Sequence, residues 1–259
     1  MEILFDNFTW FLLLLTRVAA IVGASPLLGS RNVPMQLKAA LAAIIAIVLL
    51  PTIEVPAAAP PEGLSILPLL LKEVAAGLLL GYSITVTFAI FQLMGQFMDF
   101  PMGFSMVNVF DPTSQTQIPI LGQFNYLLAL MIFLLIDGHH FLFYVLKKSL
   151  ELVPLGAVAL PRELLGWLLA VFSQMFSLGF QLSLPVVGTL FLTDLALAIL
   201  ARTVPQMNVF VVGYPAKVAI GLGVLLLTLP LYGGAFVELF SQRGWLAGQL
   251  EQLLLLFGR

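Results

Sequence analysis

The sequence predicts an all-α integral membrane protein, and two observations carry that prediction. Of the 259 residues, 61% are hydrophobic and only 9% are charged, whereas soluble domains carry roughly 25% charged residues. In addition, most of the chain falls into apolar runs near or above the roughly 20 residues that cross a bilayer as a helix. The six runs are 8–28, 37–53, 64–98, 118–146, 164–200 and 209–232.

Composition also excludes several classes of function. The chain has no cysteine, so disulfides, thiolate metal sites and cysteine nucleophiles are absent. Its net charge of −2 offers no basic field for nucleic acid. The N-terminus, "MEILFDNFTW", has no basic region or cleavage site typical of a signal peptide. We therefore expect the first run to be kept as a helix.

Polar or proline-rich connectors separate the runs. The segment "EVPAAAPPEG" follows the second run, 99–119 follows the third and 147–163 follows the fourth. The tail 246–257 is apolar but carries Gln249, Glu251 and Gln252, a composition that fits a helix at the membrane interface. The whole chain is predicted to form a single membrane domain.

Two runs are much longer than a bilayer requires. Residues 64–98 and 164–200 could be strongly tilted helices, hairpins, or helices that continue out of the bilayer into a protein assembly. We predict bent or hairpin units, with bends near Gly81 or Gly95 and near Pro185, because proline removes a helix hydrogen bond and glycine eases bending. The distribution of basic residues contradicts the positive-inside rule for simple topologies, so the orientation stays open.

Several charges lie within or at the ends of the apolar runs, where they are costly unless they face protein or water. They are Arg17, Lys38, Lys72, Glu73, Asp137, Asp194 and Lys217. Four of them, Lys38, Glu73, Asp194 and Lys217, have an alanine or glycine four residues later, and Glu73 precedes the small-residue pattern of Gly77 and Gly81. We predict that these four charges lie at helix–helix contacts.

Two short motifs could indicate chemistry. In "DGHH", Asp137 and His140 share a helix face, while the adjacent histidines are expected to diverge by roughly 100°. The pattern His-Glu-x-x-His of zinc peptidases is absent. "GFSM" matches the Gly-x-Ser of intramembrane serine proteases over only three residues. We interpret "DGHH" as a helix end or an interfacial pair, and no catalytic residue, metal or cofactor is predicted.

An apolar loop follows the third run. Segment 103–117 begins with Gly103 and contains apolar side chains but no lysine or arginine. Such a loop is costly in water, and non-helical backbone at membrane depth is tolerated only inside protein or along a cavity. Its singled-out residues are Gly103, Phe104, Met106, Val109, Phe110, Asp111 and Pro112.

An ordered set of motifs resembles the FliR family of flagellar type III export-gate proteins, whose injectisome counterpart is SctT. The motifs are "PLLGSRNVP", "LLLKEVAAGLLLGY", "GQFMDFPMGFSM", "FDPTSQTQIPILGQF", "FLLIDGHH" and "ARTVPQMNVFVVGYPAK". Single pieces are unspecific, but their order over roughly residues 8–240 is specific.

The resemblance implies a non-enzymatic subunit, present once per complex, that joins FliP and FliQ in a gate of long bent helical hairpins. This gate passes unfolded flagellar substrates across the bacterial inner membrane, within the flagellar basal body. FlhB-like proteins would surround it and FlhA-like proteins would lie beneath it. The resemblance further implies a FliP-like N-terminal part, a FliQ-like C-terminal part, and a role for loop 103–117 in plugging the pore.

The segment "ARTVPQMNVF" is predicted to be a signature turn of this fold. Its amides can bond backbone groups without adding charge, as a buried or partly buried turn between long helices requires. The turn residues are Arg202, Pro205, Gln206 and Asn208. Two other functions remain open from the residues: an independent ion-coupled transporter that uses the membrane charges, and an intramembrane hydrolase based on Ser105 and His139 or His140.

Overall fold

The computed structural model describes residues 2–30, 32–53, 65–104, 119–206, 208–241 and 244–258, without the side chains of 2–7 and 209. These residues form eight α-helices and no strand, so the predicted fold class is confirmed. The helices are α1 Glu2–Ala24, α2 Met35–Leu49, α3 Ile66–Met102, α4 Ile120–Leu135, α5 Gly138–Leu152, α6 Glu163–Thr203, α7 Val209–Phe240 and α8 Trp245–Phe257. A short 3-10 turn, Leu50–Thr52, extends α2.

Four stretches of the described chain are long and apolar enough to cross a membrane, and a fifth is obtained if α4 and α5 count as one broken span. The four are α2 with its 3-10 turn, α3, α6 and the stretch that begins at Phe210. Residues 66–98 of the first long run and the whole of the second, 164–200, lie within single continuous helices, α3 and α6. The hairpin interpretation of each run is therefore wrong, since Pro185 lies inside α6 without ending it. The bends stay predictions.

The run 118–146 was expected to be one helix and is instead interrupted after Leu135. Asp137 adopts a left-handed conformation, with φ 57°, immediately before the first residue of α5. This conformation costs a residue other than glycine roughly 1–2 kcal/mol. The polar Asp137 and the flexible Gly138 are the local reason why an apolar run of this length does not continue as one helix.

The chain divides into two compact units, each assembled from separate stretches of sequence. Unit 1 contains Met1–Thr87, Ile136–Phe172 and Leu239–Arg259. Its core is formed by apolar faces of α1, α3, α5 and α8 that repeat at three- and four-residue spacing, as amphipathic helices require. The core includes Leu14, Val18, Leu80, Ile84, Leu146, Leu253 and Phe257.

Helix α8 was expected at a membrane interface, but its apolar face is buried within unit 1. Leu246, Leu250 and Leu253 are at most 2% exposed. The carbonyl of Phe257 also accepts a hydrogen bond from the amide of Ala159, at 3.1 Å. The apolar stripe of this helix therefore packs on protein, which sequence periodicity alone does not distinguish from packing on lipid.

Unit 2 contains Phe88–Leu135 and Ser173–Glu238. Its core is aromatic: the Phe88 and Phe133 rings lie 5.3 Å apart, and the Phe91 and Phe236 rings lie 4.0 Å apart between centroids. Both pairs meet edge to face, a geometry that aromatic rings favour. These contacts join α3 to α4 and α7.

Helices α1 and α3 approach closely in unit 1 because α3 carries glycines where they meet. A Cβ atom at Gly77 would lie 2.5 Å from the carbonyl oxygen of Arg17 and 2.6 Å from the Cβ of Ala20. A Cβ at Gly81 would overlap the Cβ of Ala24. The small-residue pattern Gly77/Gly81 thus serves a helix contact, as its spacing predicts.

This contact gives a stability test with a built-in control. Gly77→Ala should lower the free energy of unfolding by about 1–3 kcal/mol, because the added methyl group overpacks against backbone that cannot move away easily. Gly23→Ala, in α1 of the same unit, meets nothing within 4 Å and should be neutral or stabilising by up to about 1 kcal/mol. Thermal unfolding of the protein in detergent would compare the two. Equal behaviour of both variants would contradict the close contact.

Candidate functional site

A fully buried ion pair lies inside unit 1. Arg17, on α1, is 1% exposed and Glu73, on α3, is 0% exposed. The guanidinium donates from Nε to Oε2 at 2.5 Å and from Nη2 to Oε1 at 3.1 Å, so both carboxylate oxygens are engaged. This two-point geometry is the strongest form of arginine–carboxylate contact.

The remaining polar atoms of the pair bind the last turn of α5 and the chain that follows it. Arg17 Nη1 donates to the carbonyl oxygens of Ser149, at 3.2 Å, and Val153, at 2.9 Å. Glu73 Oε1 also accepts from the amide of Gly156, at 2.8 Å. A cation at a helix C-terminus is favourable because it satisfies the last carbonyls. Gly156 has φ +80°, a conformation that suits glycine and presents its amide to the carboxylate.

The pair was only half visible in the sequence. Glu73 was singled out because small residues follow it at helical spacing. Arg17 also lies in an apolar run, but the residue four positions later is Ile21 and not alanine or glycine, so the spacing of small residues did not predict a contact for Arg17. Its partner lies 56 residues away, and no periodicity within one helix reveals contacts at that separation.

The other three predicted packing charges have different environments. Lys38 is half-buried, and its Nζ donates to the carbonyl oxygen of Gly29 at 2.9 Å. Asp194 of α6 and Lys217 of α7 form an ion pair within unit 2, with 46% and 24% of their side chains exposed. The structure therefore brings Asp194 and Lys217 together, whereas Lys38 and Glu73 have separate partners.

Only the start of the predicted plug loop is described. Gly103 has φ +85°, and a Cβ there would overlap the ring of Tyr214. The Tyr214 hydroxyl donates to the Gly103 carbonyl oxygen at 2.6 Å, and Phe104 is half-buried. The other predicted loop residues, Met106, Val109, Phe110, Asp111 and Pro112, lie outside the described residues.

The signature turn joins α6 to α7 and is exposed in this chain. Arg202, Pro205, Gln206 and Asn208 are all exposed, so the chain by itself does not bury the turn, and its burial against neighbouring subunits stays a prediction. Asn208 nevertheless satisfies backbone groups as predicted: its Oδ1 accepts from the amides of Phe210, at 3.2 Å, and Val211, at 3.4 Å. Asn208 thus acts as the N-cap of α7, a role that asparagine favours.

A further acid, Asp99, was missed by sequence reasoning. It lies on α3 of unit 2, is 4% exposed, and accepts hydrogen bonds from the amides of Leu121, at 3.0 Å, and Gly122, at 3.3 Å. Those amides belong to the first turn of α4, where no intrahelical acceptor is available. A carboxylate also suits the positive end of the helix dipole. Asp99 therefore caps a helix that begins 21 residues later in the chain.

Comparison with known proteins now places the chain in a family. Residues 8–243 match the profile of the bacterial export proteins, family 1. The chain belongs to this family. It is 40% identical over 245 residues to the flagellar biosynthetic protein FliR of Bacillus subtilis, covering 93% of this chain and 94% of that protein.

More distant relatives match over similar lengths. The flagellar biosynthetic protein FliR of Escherichia coli is 31% identical over 229 residues, 88% of this chain and 87% of that protein. The FliR protein of Aquifex aeolicus is 29% identical over 219 residues, 83% of each chain. Together with the long apolar helices, family membership identifies the chain as a multi-pass membrane protein.

The buried pair leads to a test by substitution. Glu73→Leu should destabilise the protein by about 3–5 kcal/mol, because Arg17 then remains buried without a counter-charge. The double variant Arg17→Met/Glu73→Leu should recover part of that loss, since no unpaired charge is left. Thermal unfolding in detergent, followed by circular dichroism, would measure both.

The exposed pair Lys147–Glu151, 3.7 Å apart on α5, provides the control. Glu151→Gln should change stability by less than about 0.5 kcal/mol. A double variant that is less stable than Glu73→Leu alone would argue against an uncompensated charge as the cause.

Proposed function

We propose that the protein is a core subunit of the flagellar type III protein export gate. In this proposal it joins FliP and FliQ, as a single copy, in the channel that passes unfolded flagellar substrates across the bacterial inner membrane. Its place is the flagellar basal body, with FlhB and FlhA as further partners, and its role is not enzymatic. The observation that carries the proposal is the end-to-end similarity to proteins named flagellar biosynthetic protein FliR, 40% identical over 93% of the chain in one case.

The surface of α6 supports an assembly of several chains. Exposed apolar side chains recur along α6 at spacings of three or four residues, apart from one gap between Leu184 and Leu192. Because 3.6 residues make a turn, the set forms a stripe that winds gradually around the helix. We call this set the α6 stripe: Leu165, Leu169, Phe172, Phe176, Phe180, Leu184, Leu192, Leu195 and Ile199. From Leu165 to Ile199 the stripe extends about 51 Å along the helix axis, at 1.5 Å per residue.

Lipid alone does not cover a stripe of that length. The hydrocarbon core is about 30 Å thick, and a tilt of about 40°, the upper end of the observed range, raises the covered length only to about 39 Å. The remaining apolar side chains would lie in water or among headgroups, which is unfavourable. This cost is removed if neighbouring protein covers at least one end of the stripe. FliP- and FliQ-like subunits are the neighbours that the family resemblance implies.

The buried charge pair of unit 1 favours a structural role over ion transport. Arg17 and Glu73 neutralise each other, and every other hydrogen bond they make in the described residues goes to backbone. A group that carries an ion must exchange it with water or a neighbouring site, and these side chains are at most 1% exposed. This arrangement is better suited to fixing helix positions than to relaying charge.

The plug role of loop 103–117 belongs to the same proposal. It rests on the apolar character of Phe104, Met106, Val109 and Phe110, and on the family resemblance. Flexible methionines and large rings can seal a pore and still yield to a passing chain.

Assembly can be tested at the two ends of the α6 stripe. When the chain is co-expressed with FliP- and FliQ-like partners, it should purify with them in one complex. Leu165→Trp or Ile199→Trp should reduce the recovered partners at one end at least, because packed protein does not accommodate a larger side chain as lipid does. The quantity measured is partner recovered per tagged chain.

Two controls separate assembly from folding. Ile199→Leu keeps the side-chain volume and should leave partner recovery unchanged. The tryptophan variants of the isolated chain should unfold at the parent temperature, since Leu165 and Ile199 are 65% and 64% exposed. A chain that purifies alone and transports an ion by itself would overturn the proposed function.

The plug can be tested by removing its apolar side chains. The double variant Met106→Gly/Phe110→Gly should make cells that express the assembled gate leaky to ions and small solutes, because the seal is lost while the helices are unchanged. Uptake of a small dye or membrane conductance would report the leak. Thr113→Gly/Thr116→Gly adds the same two glycines and should stay tight. If the Met106→Gly/Phe110→Gly gate assembles and is as tight as the parent, the plug role is wrong and the loop serves only packing.

A further inference from the structure

Three potential metal ligands gather where α5 begins. His139 Nε2 lies 4.0 Å from Asp137 Oδ1, and His140 Nδ1 lies 3.7 Å from the same oxygen. One donor atom from each of the three residues falls within 4.8 Å of the others. All three belong to unit 1, and none takes part in the Arg17–Glu73 site.

The sequence argument against a metal was that adjacent histidines on a helix diverge. That expectation is wrong for this pair, because the two imidazole centroids are only 4.2 Å apart and their planes differ by 37°. Both histidines lie in the first turn of α5, directly after the left-handed Asp137. The rings therefore face one carboxylate instead of opposite sides of the helix.

The Asp137 carboxylate does not cap α5, although Asp137 stands at the N-cap position of that helix. Aspartate before a helix normally accepts a hydrogen bond from an amide of the first turn. Asp137 makes no such bond, and its side chain is 71% exposed beside the two imidazoles. Its oxygens therefore remain available to a ligand.

We propose that Asp137, His139 and His140 form a binding site for a first-row divalent transition metal such as Zn²⁺. Imidazole nitrogens and a carboxylate oxygen are donors that zinc accepts, at about 2.0–2.2 Å. Two donors on one tetrahedral zinc are then about 3.4 Å apart. The 3.7 and 4.0 Å to Asp137 are close to that spacing, and all three donor atoms lie within 4.8 Å of one another. Metal binding therefore requires side-chain movements of about half an ångström to about 1.4 Å, which the largely exposed Asp137 and His140 can make by rotation.

The arrangement also assigns the atoms. His139 Nδ1 is buried and has no hydrogen-bond partner among the described residues, whereas His139 Nε2 faces Asp137. Nε2 is therefore the ligand atom of His139, and Nδ1 is the ligand atom of His140. Three protein ligands leave at least one coordination position for water or for a donor from another molecule.

Metal titration of the purified full-length chain tests the site. The chain is produced with a tag that contains no histidine, and Zn²⁺ binding is measured by isothermal titration calorimetry in detergent. The visible absorption of added Co²⁺ gives a second readout of coordination. The parent chain should bind one equivalent of metal, and the Co²⁺ spectrum should differ from that of the aqueous ion.

Substitutions connect the binding to these residues. His139→Ala, His140→Ala and Asp137→Asn should each weaken binding at least about tenfold, since even residues that only support metal ligands contribute 10–100-fold. Asparagine tolerates the left-handed conformation, so Asp137→Asn keeps the backbone while it removes the charged ligand. Glu151→Gln, an exposed acid of the same helix, is the matched control and should bind as the parent does.

Two outcomes would overturn the proposal. One is a parent chain that shows no saturable binding of Zn²⁺ or Co²⁺. The other is a triple variant of Asp137, His139 and His140 that binds as tightly as the parent, which would place the metal elsewhere.

Discussion

The buried contact between Arg17 and Glu73 is the constraint on which the organisation of unit 1 depends. Removing a guanidinium and a carboxylate from water costs several kcal/mol per ion, and the attraction between them compensates only when the remaining polar atoms are also satisfied. Here the last carbonyls of α5 and the amide of Gly156 complete the set. The pair thus holds α1, α3 and the end of α5 in one arrangement.

We infer that such a pair contributes more to the choice of one packing than to stability, since apolar groups of similar volume often stabilise a core as well as a buried ion pair does. Apolar faces made of leucine, valine and alanine can slide past each other by a turn with little loss of buried area. A charged pair has no equivalent alternative position, because displacement by one turn leaves both ions without partners. Gly77 makes the arrangement possible, since a Cβ atom at Gly77 would lie only 2.5 Å from the backbone carbonyl oxygen of Arg17. Close approach and charge pairing therefore depend on each other.

Unit 2 uses polar groups in a related way, at the ends of helices. In a membrane protein the unpaired amides and carbonyls at a helix end need partners from the chain wherever lipid excludes water. Asp99 satisfies the first amides of α4, and the Tyr214 hydroxyl binds the Gly103 carbonyl just after α3. Both contacts join residues far apart in sequence, so they determine where a helix begins or ends relative to its neighbours.

Sequence reasoning found what depends on local pattern and missed what depends on distant partners. Apolar runs predicted the fold class and located the long helices, and Gly77/Gly81 predicted a close helix contact. The break at Asp137 was expected only in part: "DGHH" was interpreted as a helix end or an interfacial pair, but a run that is apolar on both sides gives no periodic signal of a left-handed residue. The Arg17–Glu73 pair and the Asp99 cap were missed because their partners lie in other helices. The exposed turn at Arg202 shows another limit of local pattern, because the polarity of a turn does not indicate whether a neighbouring chain covers it.

The charges that have partners within the chain, and the apolar surface that has none, indicate what surrounds the protein. Among the described residues, the deeply buried charges Arg17, Glu73 and Asp99 find their hydrogen-bond partners within the chain, so they need none from another subunit. The side chains of the α6 stripe are exposed in the chain by itself, and apolar side chains are most stable against an apolar neighbour. The half-exposed pair of Asp194 and Lys217 is the exception, because it places charge on two membrane-length apolar helices. Lipid is a poor environment for that pair. The side of α6 and α7 that carries it must therefore face protein or water.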